Sequence, residues 1–193
     1  MSDHHHFIIH KPYGYISQFK NNSKRKKMLL SDLYDFAEGT MAIGRLDVKS
    51  EGLLFLTTNG KLSHKVRSAK IEKEYFVQVD GYPTEKKLER LRKGITINIE
   101  GRDYQTMESK IEKIATPDFL LLENRKVRSE RHGPMSWLSI TLREGKFHQV
   151  RKMTAARGHP TFRLIRYRIG METLDQLKVG SVKKVAQFHL TSE

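Results

Sequence analysis

Short segments with the pattern of β-strands follow one another closely along this chain, with few helix-like stretches between them. The clearest are an apolar run at residues 53–57 and an alternating segment that starts at Lys73. Tyr75, Val77 and Val79 share one face of the latter. Close strands favour a largely antiparallel sheet flanked by helices, so the sequence predicts the α+β class. The other strand candidates are residues 7–9, 95–99, 111–114, 119–123 and 137–142.

Turn and cap residues separate these strands. Asn59 and Gly60 form a dipeptide typical of turns, directly after the apolar run. Ser31 is placed to cap a short helix that Gly39 would end. Further helices are predicted at residues 61–68, between Thr84 and Gly94, and at residues 146–157.

The length of 193 residues suits one compact domain or two small lobes that share the sheet. We find no repeat and no Pro/Gly-rich linker. The lack of cysteine excludes disulfides and thiolate catalysis, and it fits a reducing compartment. No apolar run approaches the roughly 18 residues of a membrane span, and the N-terminus lacks the apolar stretch of a signal peptide. We therefore expect a cytoplasmic protein with no membrane partner.

The net charge of +14 is confined to two segments. Residues 19–30 carry +5 and residues 110–168 carry +9, whereas the remaining basic and acidic residues cancel. Such clusters suit a polyanion, because each cation that neutralises a phosphate releases a counterion. A solvated basic surface would show the same composition, so charge alone leaves both interpretations open.

Several kinds of site find no support in the motifs. His4, His5 and His6 are adjacent rather than four residues apart, which argues against a metal site on a helix. The chain has neither a phosphate-binding P-loop nor a dinucleotide-binding glycine pattern, and no serine nucleophile elbow. We therefore expect no metal and no nucleotide cofactor.

One polar segment leads directly into the apolar run. By spacing alone, its Arg45 and Asp47 could form a structural ion pair or a turn. The whole segment, GRLDVKSEGLLFLT, nevertheless resembles the signature of the RsuA-type pseudouridine synthases. This match is long and ordered, so chance is a poor explanation for it.

Three more segments resemble motifs of that family in the expected order. They are KPYGYIS at residues 11–17, KEYFV at residues 73–77 and EGKFHQVRKM at residues 144–153. The tail RLIRY at residues 163–167 is most similar to the RluE branch, which acts on 23S ribosomal RNA. The first motif begins so early that we expect no separate N-terminal S4 RNA-binding domain.

The resemblance implies a pseudouridine synthase fold, with two lobes sharing the sheet around a catalytic cleft, and a single catalytic domain over residues 1–193. It implies that Asp47 is the essential carboxylate and that Arg151 keeps it charged. Tyr75 would stack on the flipped uracil, and Arg45 would hold the place that the base vacates. Lys73 is a further substrate-binding candidate.

Simpler interpretations of some of these residues stay open. Arg151 could contact a phosphate, and Tyr75 could be an ordinary core aromatic of its strand. Lys73 could pair with Glu72 or Glu74 at the surface.

The resemblance to the RluE branch implies that the substrate is a specific uridine of 23S ribosomal RNA, so we expect this RNA or a large-subunit assembly intermediate as the partner of a monomeric enzyme. The charge distribution places the candidates for RNA binding in two clusters. A noncatalytic ribosomal-RNA-binding or assembly protein, or a synthase for small-subunit ribosomal RNA, is the alternative. A metal-dependent nuclease would need more clustered carboxylates than Asp47 and Glu51. The two basic clusters are Lys24, Arg25, Lys26 and Lys27, and Arg125, Lys126, Arg128 and Arg131.

Overall fold

A computed structural model describes residues 4–21, 24–67, 71–121, 127, 133–175 and 177–190. The chain divides into two compact units. The first combines Met1–Ile71 with Ile165–Glu193, and the second is Glu72–Leu164. Within the described ranges, no helix is long and apolar enough to cross a membrane.

Eleven strands and four α-helices are defined in the described ranges, together with one 3-10 helix at Leu30–Asp32. The strands are β1 His6–Lys11, β2 Met41–Ile43, β3 Glu51–Thr57, β4 Lys73–Asp80, β5 Thr96–Ile99, β6 Arg102–Gln105, β7 Lys110–Ile114, β8 Met135–Leu142, β9 Thr161–Ile169, β10 Glu172–Thr173 and β11 Val182–Val185. The helices are α1 Gly60–Arg67, α2 Glu85–Arg92, α3 Asp118–Leu121 and α4 Gln149–Ala155.

The sheet of the first unit is built around β1 and β3. β1 pairs antiparallel with β11 on one side and with β3 on the other, and β2 also pairs antiparallel with β3. β9 joins β3 in parallel, with Glu51 opposite Ile165 and Gly52 opposite Arg166. All seven residues of β3 are buried, which agrees with the predicted apolar strand. The parallel pair makes the sheet mixed.

The second unit has an antiparallel sheet in which β8 lies between β4 and β7. Tyr75, Val77 and Val79 of β4 are buried, and the residues between them are partly exposed. This alternation confirms the period-2 pattern of the sequence. α2 buries Leu88 and Leu91, and β5 and β6 form a separate hairpin. The α+β class with a largely antiparallel sheet is confirmed.

The predicted helix between Ser31 and Gly39 is wrong. Only the 3-10 turn at Leu30–Asp32 forms, and the Leu29 N–H donates to the Asp32 carboxylate at 2.7 Å. The residues that follow this turn are not helical, and Phe36 packs edge-on against Phe7 with ring centroids 5.2 Å apart. Aromatic packing outweighs the local helix signals here.

The predicted strand at residues 119–123 is also wrong. Its described part lies in α3, where Phe119 stacks on Phe76 of β4. A four-residue apolar run has no periodicity that separates a strand from a helical turn. By contrast, β3 ends just before Asn59 and Gly60, as their turn signal predicted, and the Asn59 side-chain oxygen accepts the Leu62 N–H at 3.1 Å and so caps α1.

Candidate active site

Asp47 lies in the loop of residues 44–50 that joins β2 to β3, here called the aspartate loop. Gly44, with a φ of +73°, turns the chain out of β2. Arg45 is then exposed, Leu46 is buried and Asp47 is partly buried. The Ser50 N–H donates to the Asp47 carbonyl at 2.9 Å and closes a turn before β3. The loop thus presents two polar side chains on either side of one buried leucine.

Both sequence neighbours of Asp47 are held by residues 11–17, here called the first-motif segment. The Ser17 hydroxyl donates to the Leu46 carbonyl at 2.9 Å and accepts the Leu46 N–H at 3.0 Å. The Gly14 N–H donates to the Val48 carbonyl at 2.8 Å. These three bonds fix the backbone immediately before and after Asp47. Such support is what a reacting side chain needs if it is to keep its orientation.

A buried ammonium group organises the first-motif segment. Lys11 is fully buried, and its Nζ donates to the Pro12 carbonyl at 2.8 Å and to the Tyr15 carbonyl at 2.7 Å. Burial lowers the pKa of Lys11 to about 8, an effect opposed by the carboxylates of Glu51 and Asp47. The electrostatic attraction between Lys11 and Asp47 links the first-motif segment to the aspartate loop.

Two further charged residues of the first unit are buried near this lysine. Glu51 opens β3, and Arg166 of β9 donates its Nε to the Leu53 carbonyl at 2.7 Å. The charge of Arg166 adds to the burial effect that lowers the pKa of Lys11. The sequence alone assigned no role to Lys11 or Arg166. The one available signal was that each lies inside a segment that resembles the family.

A distinct pH dependence is expected from Lys11. Between about pH 8 and pH 10.5 the unfolded chain holds the Lys11 proton and the folded chain does not, so stability should rise across this range. The slope contributed by this one group is at most about 1.4 kcal/mol per pH unit. The measurements are an NMR titration of the Lys11 Nζ and unfolding free energies of the wild type and Lys11→Met against pH. A midpoint near the ordinary lysine value, or equal slopes for the two proteins, would contradict it.

In the second unit, two candidate residues lie at the start of β4. Tyr75 is buried and pairs with Ile140 of β8, and Lys73 is partly buried opposite Leu142. Because these two residues are two positions apart in one strand, their side chains lie on the same face of the sheet. The burial of Tyr75 fits both a core aromatic and the wall of a pocket.

Arg151, the third candidate of the second unit, lies in the first turn of α4 and is partly buried. Its Nη1 donates to the Thr161 carbonyl at 3.3 Å. α4 begins at Gln149, three residues later than the sequence pattern predicted. The residues before it form a turn in which the Lys146 N–H donates to the Gln149 side chain at 2.9 Å. This turn sets where the helix, and with it Arg151, begins.

Glu144 stabilises that turn. This buried carboxylate accepts hydrogen bonds from the Tyr104 hydroxyl at 2.5 Å, the Met107 N–H at 2.9 Å and the Gln149 amide at 2.5 Å. The bond to Glu144 raises the pKa of Tyr104 to about 12. A buried carboxylate with three donors is well satisfied, so the acidic residue of the third motif has a structural role here.

The residues that the family resemblance singles out therefore fall into two groups. Arg45 and Asp47 share the aspartate loop of the first unit, whereas Lys73, Tyr75 and Arg151 belong to the second unit. Within the ranges that the structure describes, no group of three or more His, Cys, Asp or Glu side chains could hold a metal ion.

The two basic clusters differ in what the structure describes. The residues of the first are all exposed, and those of the second lie outside the described residues. The first is Lys24, Arg25, Lys26 and Lys27, and the second is Arg125, Lys126, Arg128 and Arg131.

Comparison with known proteins decides the family. A model described as RNA pseudouridylate synthase matches residues 5–156, which is most of the chain and includes the aspartate loop, β4 and α4. The chain belongs to the RNA pseudouridylate synthase family. The expected family resemblance is thereby confirmed, and with it the assignment of this chain as an isomerase that acts on RNA.

Relatives of this synthase carry more specific names. A protein of Vibrio parahaemolyticus named ribosomal large subunit pseudouridine synthase E is 43% identical over 180 residues, which cover 92% of this chain and 72% of the relative. A protein of the same name from Xanthomonas axonopodis pv. citri is 38% identical, with 88% of each chain covered. These names agree with the branch indicated by the tail at residues 163–167.

A solved structure of the family supports the fold. The crystal structure of a pseudouridylate synthase superimposes with a TM-score of 0.74 at 25% sequence identity and covers 96% of this synthase and 72% of that chain. The expected pseudouridine synthase fold is confirmed by this likeness.

Proposed function

We propose that this synthase converts one specific uridine of 23S ribosomal RNA, in the large subunit, to pseudouridine, with Asp47 as the essential carboxylate. The observation that carries the proposal is the fixed backbone on both sides of Asp47, at Leu46 and Val48. The names of the relatives, which specify the large subunit, support the choice of RNA. An enzyme with this substrate would work in the cytoplasm, and we propose that it does so as a monomer.

The reaction is an isomerisation that needs no co-reactant. The bond between C1′ of the ribose and N1 of uracil breaks, a bond from C1′ to C5 forms, and a proton passes from C5 to N1. Asp47 would act in its ionised form, either on the sugar or on the base. The partly buried position of Asp47 and the attraction between its carboxylate and Lys11 suit a charged group in this role.

The other proposed roles follow the chemistry of each side chain. Arg151 would pair with the carboxylate, Tyr75 would stack on the uracil and take part in removal of the C5 proton, and Lys73 would contact the substrate. Arg45 would fill the gap left by the flipped base. Its exposed guanidinium, two residues from Asp47 on the same loop, supports this role.

Maps of pseudouridine in ribosomal RNA test the proposal most directly. Cells with and without this protein are compared by carbodiimide mapping, and the purified protein is then added back to RNA from the deficient cells. We expect one 23S position to lose the modification and to regain it. If no position changes although the protein binds ribosomal RNA, the noncatalytic alternative is correct, and a change in 16S RNA would identify a small-subunit enzyme.

The exposed basic residues 24–27 should contribute to RNA affinity. We expect Lys26→Gln with Lys27→Gln to weaken binding and to reduce the slope of log K against log salt. The reduction should be about 0.7 for each single-stranded phosphate that is no longer neutralised, or about 0.9 for each duplex phosphate. Turnover at saturating RNA should change little, because these lysines would bind the RNA backbone and not the reacting base.

The matched control is Lys183→Gln with Lys184→Gln, which removes the same charge from exposed positions of β11. Affinity and salt dependence are measured for both double variants by fluorescence anisotropy over a range of salt concentrations. Equal effects of the two double variants would show that only net charge matters.

A further inference from the structure

Two aromatic rings are stacked at the surface just before α4. Phe147 is 55% exposed, an unusual position for a phenylalanine side chain. Its ring lies 4.0 Å from the ring of His148, centroid to centroid, with 17° between the planes. Both residues are exposed, so the pair presents aromatic surface to solvent within the second unit.

One cationic side chain lies over the Phe147 ring of this stack, and a second lies over another aromatic ring of the second unit. The Lys152 Nζ lies 5.3 Å from the centroid of Phe147 and is held there by a hydrogen bond to the Asn98 carbonyl at 2.7 Å. The Lys146 Nζ lies 4.7 Å from the centroid of the Tyr104 ring. Aromatic surface interleaved with fixed positive charge suits a ligand that has both a π-face and a negative backbone.

The backbone that carries the stack is held in a costly conformation. His148 has a φ of +54° and a ψ of +26°, in the left-handed region that few residues other than glycine adopt. The bonds between Lys146 and Gln149, and the buried contact of Gln149 with Glu144, fix the turn on both sides. The rings are thus positioned before any ligand arrives, which lowers the entropy cost of binding.

We propose that Phe147, backed by His148, is a stacking platform for an unpaired nucleobase of the RNA substrate. The proposal rests on the proposed function, since it takes RNA as the ligand. Lys152 would lie close to the phosphate that follows the stacked base. Base stacking on aromatic rings is tolerant of sequence, so the platform would contribute affinity for the RNA rather than select the uridine.

Binding of two RNA strands to variants of the full-length protein tests the platform. The first probe is a fluorescently labelled single-stranded oligoadenylate of about 12 nucleotides, and the second is an abasic strand of the same length. For Phe147→Ala we expect the Kd of the oligoadenylate to rise about 5- to 150-fold and the Kd of the abasic strand to stay unchanged. Phe147→Tyr should bind as the wild type does, and Phe147→Leu should resemble Phe147→Ala.

Controls separate stacking from other effects. Met171→Ala removes a side chain of nearly equal exposure, 56%, from the first unit, and its binding should be unchanged. The salt dependence of oligoadenylate binding should be the same for Phe147→Ala and the wild type, because no cation is removed. Thermal unfolding of each variant confirms that it is folded.

Three results would contradict the proposal that Phe147 is a stacking platform. In the first, Phe147→Ala binds oligoadenylate as tightly as the wild type does. In the second, Phe147→Ala loses as much affinity for the abasic strand as for oligoadenylate. In the third, Phe147→Leu binds oligoadenylate as tightly as the wild type does. The first would favour a protein partner for the exposed ring instead. Because these experiments measure binding alone, failure of the wild type to modify ribosomal RNA would refute the proposed function without deciding the platform.

Discussion

Asp47→Asn should reduce pseudouridine formation by at least about 1,000-fold while RNA binding and folding stay close to those of the wild type. The substitution is nearly isosteric, so it removes the charge of the side chain and little else. The hydrogen bonds that hold Leu46 and Val48 involve backbone atoms and the Ser17 side chain, and they are unaffected. The loss of activity should therefore appear in turnover at saturating RNA.

Release of tritium from RNA labelled at C5 of uridine measures this turnover, and the Kd and the melting temperature are measured in parallel. The matched control is Asp35→Asn, the same change at an exposed position of the first unit. It should leave all three quantities unchanged. Turnover of Asp47→Asn above a tenth of the wild-type rate would contradict the assignment of Asp47.

The elements that the sequence predicted correctly are those in which one strong local pattern operates. β4 alternates buried and partly exposed residues over most of its length, and β3 contains a continuous apolar run. α2 combines Leu88 and Leu91 on one face with a glycine after its end. In each case the tertiary structure agrees with the local preference, so the prediction needed no long-range information.

β9 shows why other elements could not be predicted from the sequence. Its buried residues include Arg163 and Arg166, so neither an apolar run nor a clean alternation marks it as a strand. It is also the strand that pairs in parallel with β3, more than 100 residues earlier in the chain. Whether an arginine is buried depends on partners such as the Leu53 carbonyl, which only the folded chain supplies.

The candidate site also has features that the sequence indicated and features that it did not. The family resemblance directed attention to Asp47, and that assignment stays a prediction. The hydrogen bonds from Ser17 and Gly14 were not predicted, because they join segments about 30 residues apart and their partners in the aspartate loop are backbone groups that are present in every sequence. The burial of Lys11 was missed for a similar reason, since lysine is seldom buried and nothing local marks the exception.

Gly52→Ala should be the most destabilising of the substitutions considered. Gly52 has a φ of +110°, and a Cβ at this position would lie 2.4 Å from the carbonyl oxygen of Arg166 and 2.6 Å from its nitrogen. Both atoms belong to the backbone of β9, which is paired with β3 here and cannot move away without breaking the pair. We expect a decrease of about 4 kcal/mol or more in unfolding free energy, from steric overlap and backbone strain together.

Urea denaturation and the yield of folded protein measure this decrease. The control is Gly60→Ala at the start of α1, where a Cβ would have no neighbour within 4 Å and φ is not positive. It should be neutral or stabilising by up to about 1 kcal/mol. Because β3 begins four residues after Asp47, a Gly52→Ala protein that still folds should also lose turnover through displacement of the aspartate loop. A variant within about 1 kcal/mol of the wild type would contradict the close approach of β3 and β9.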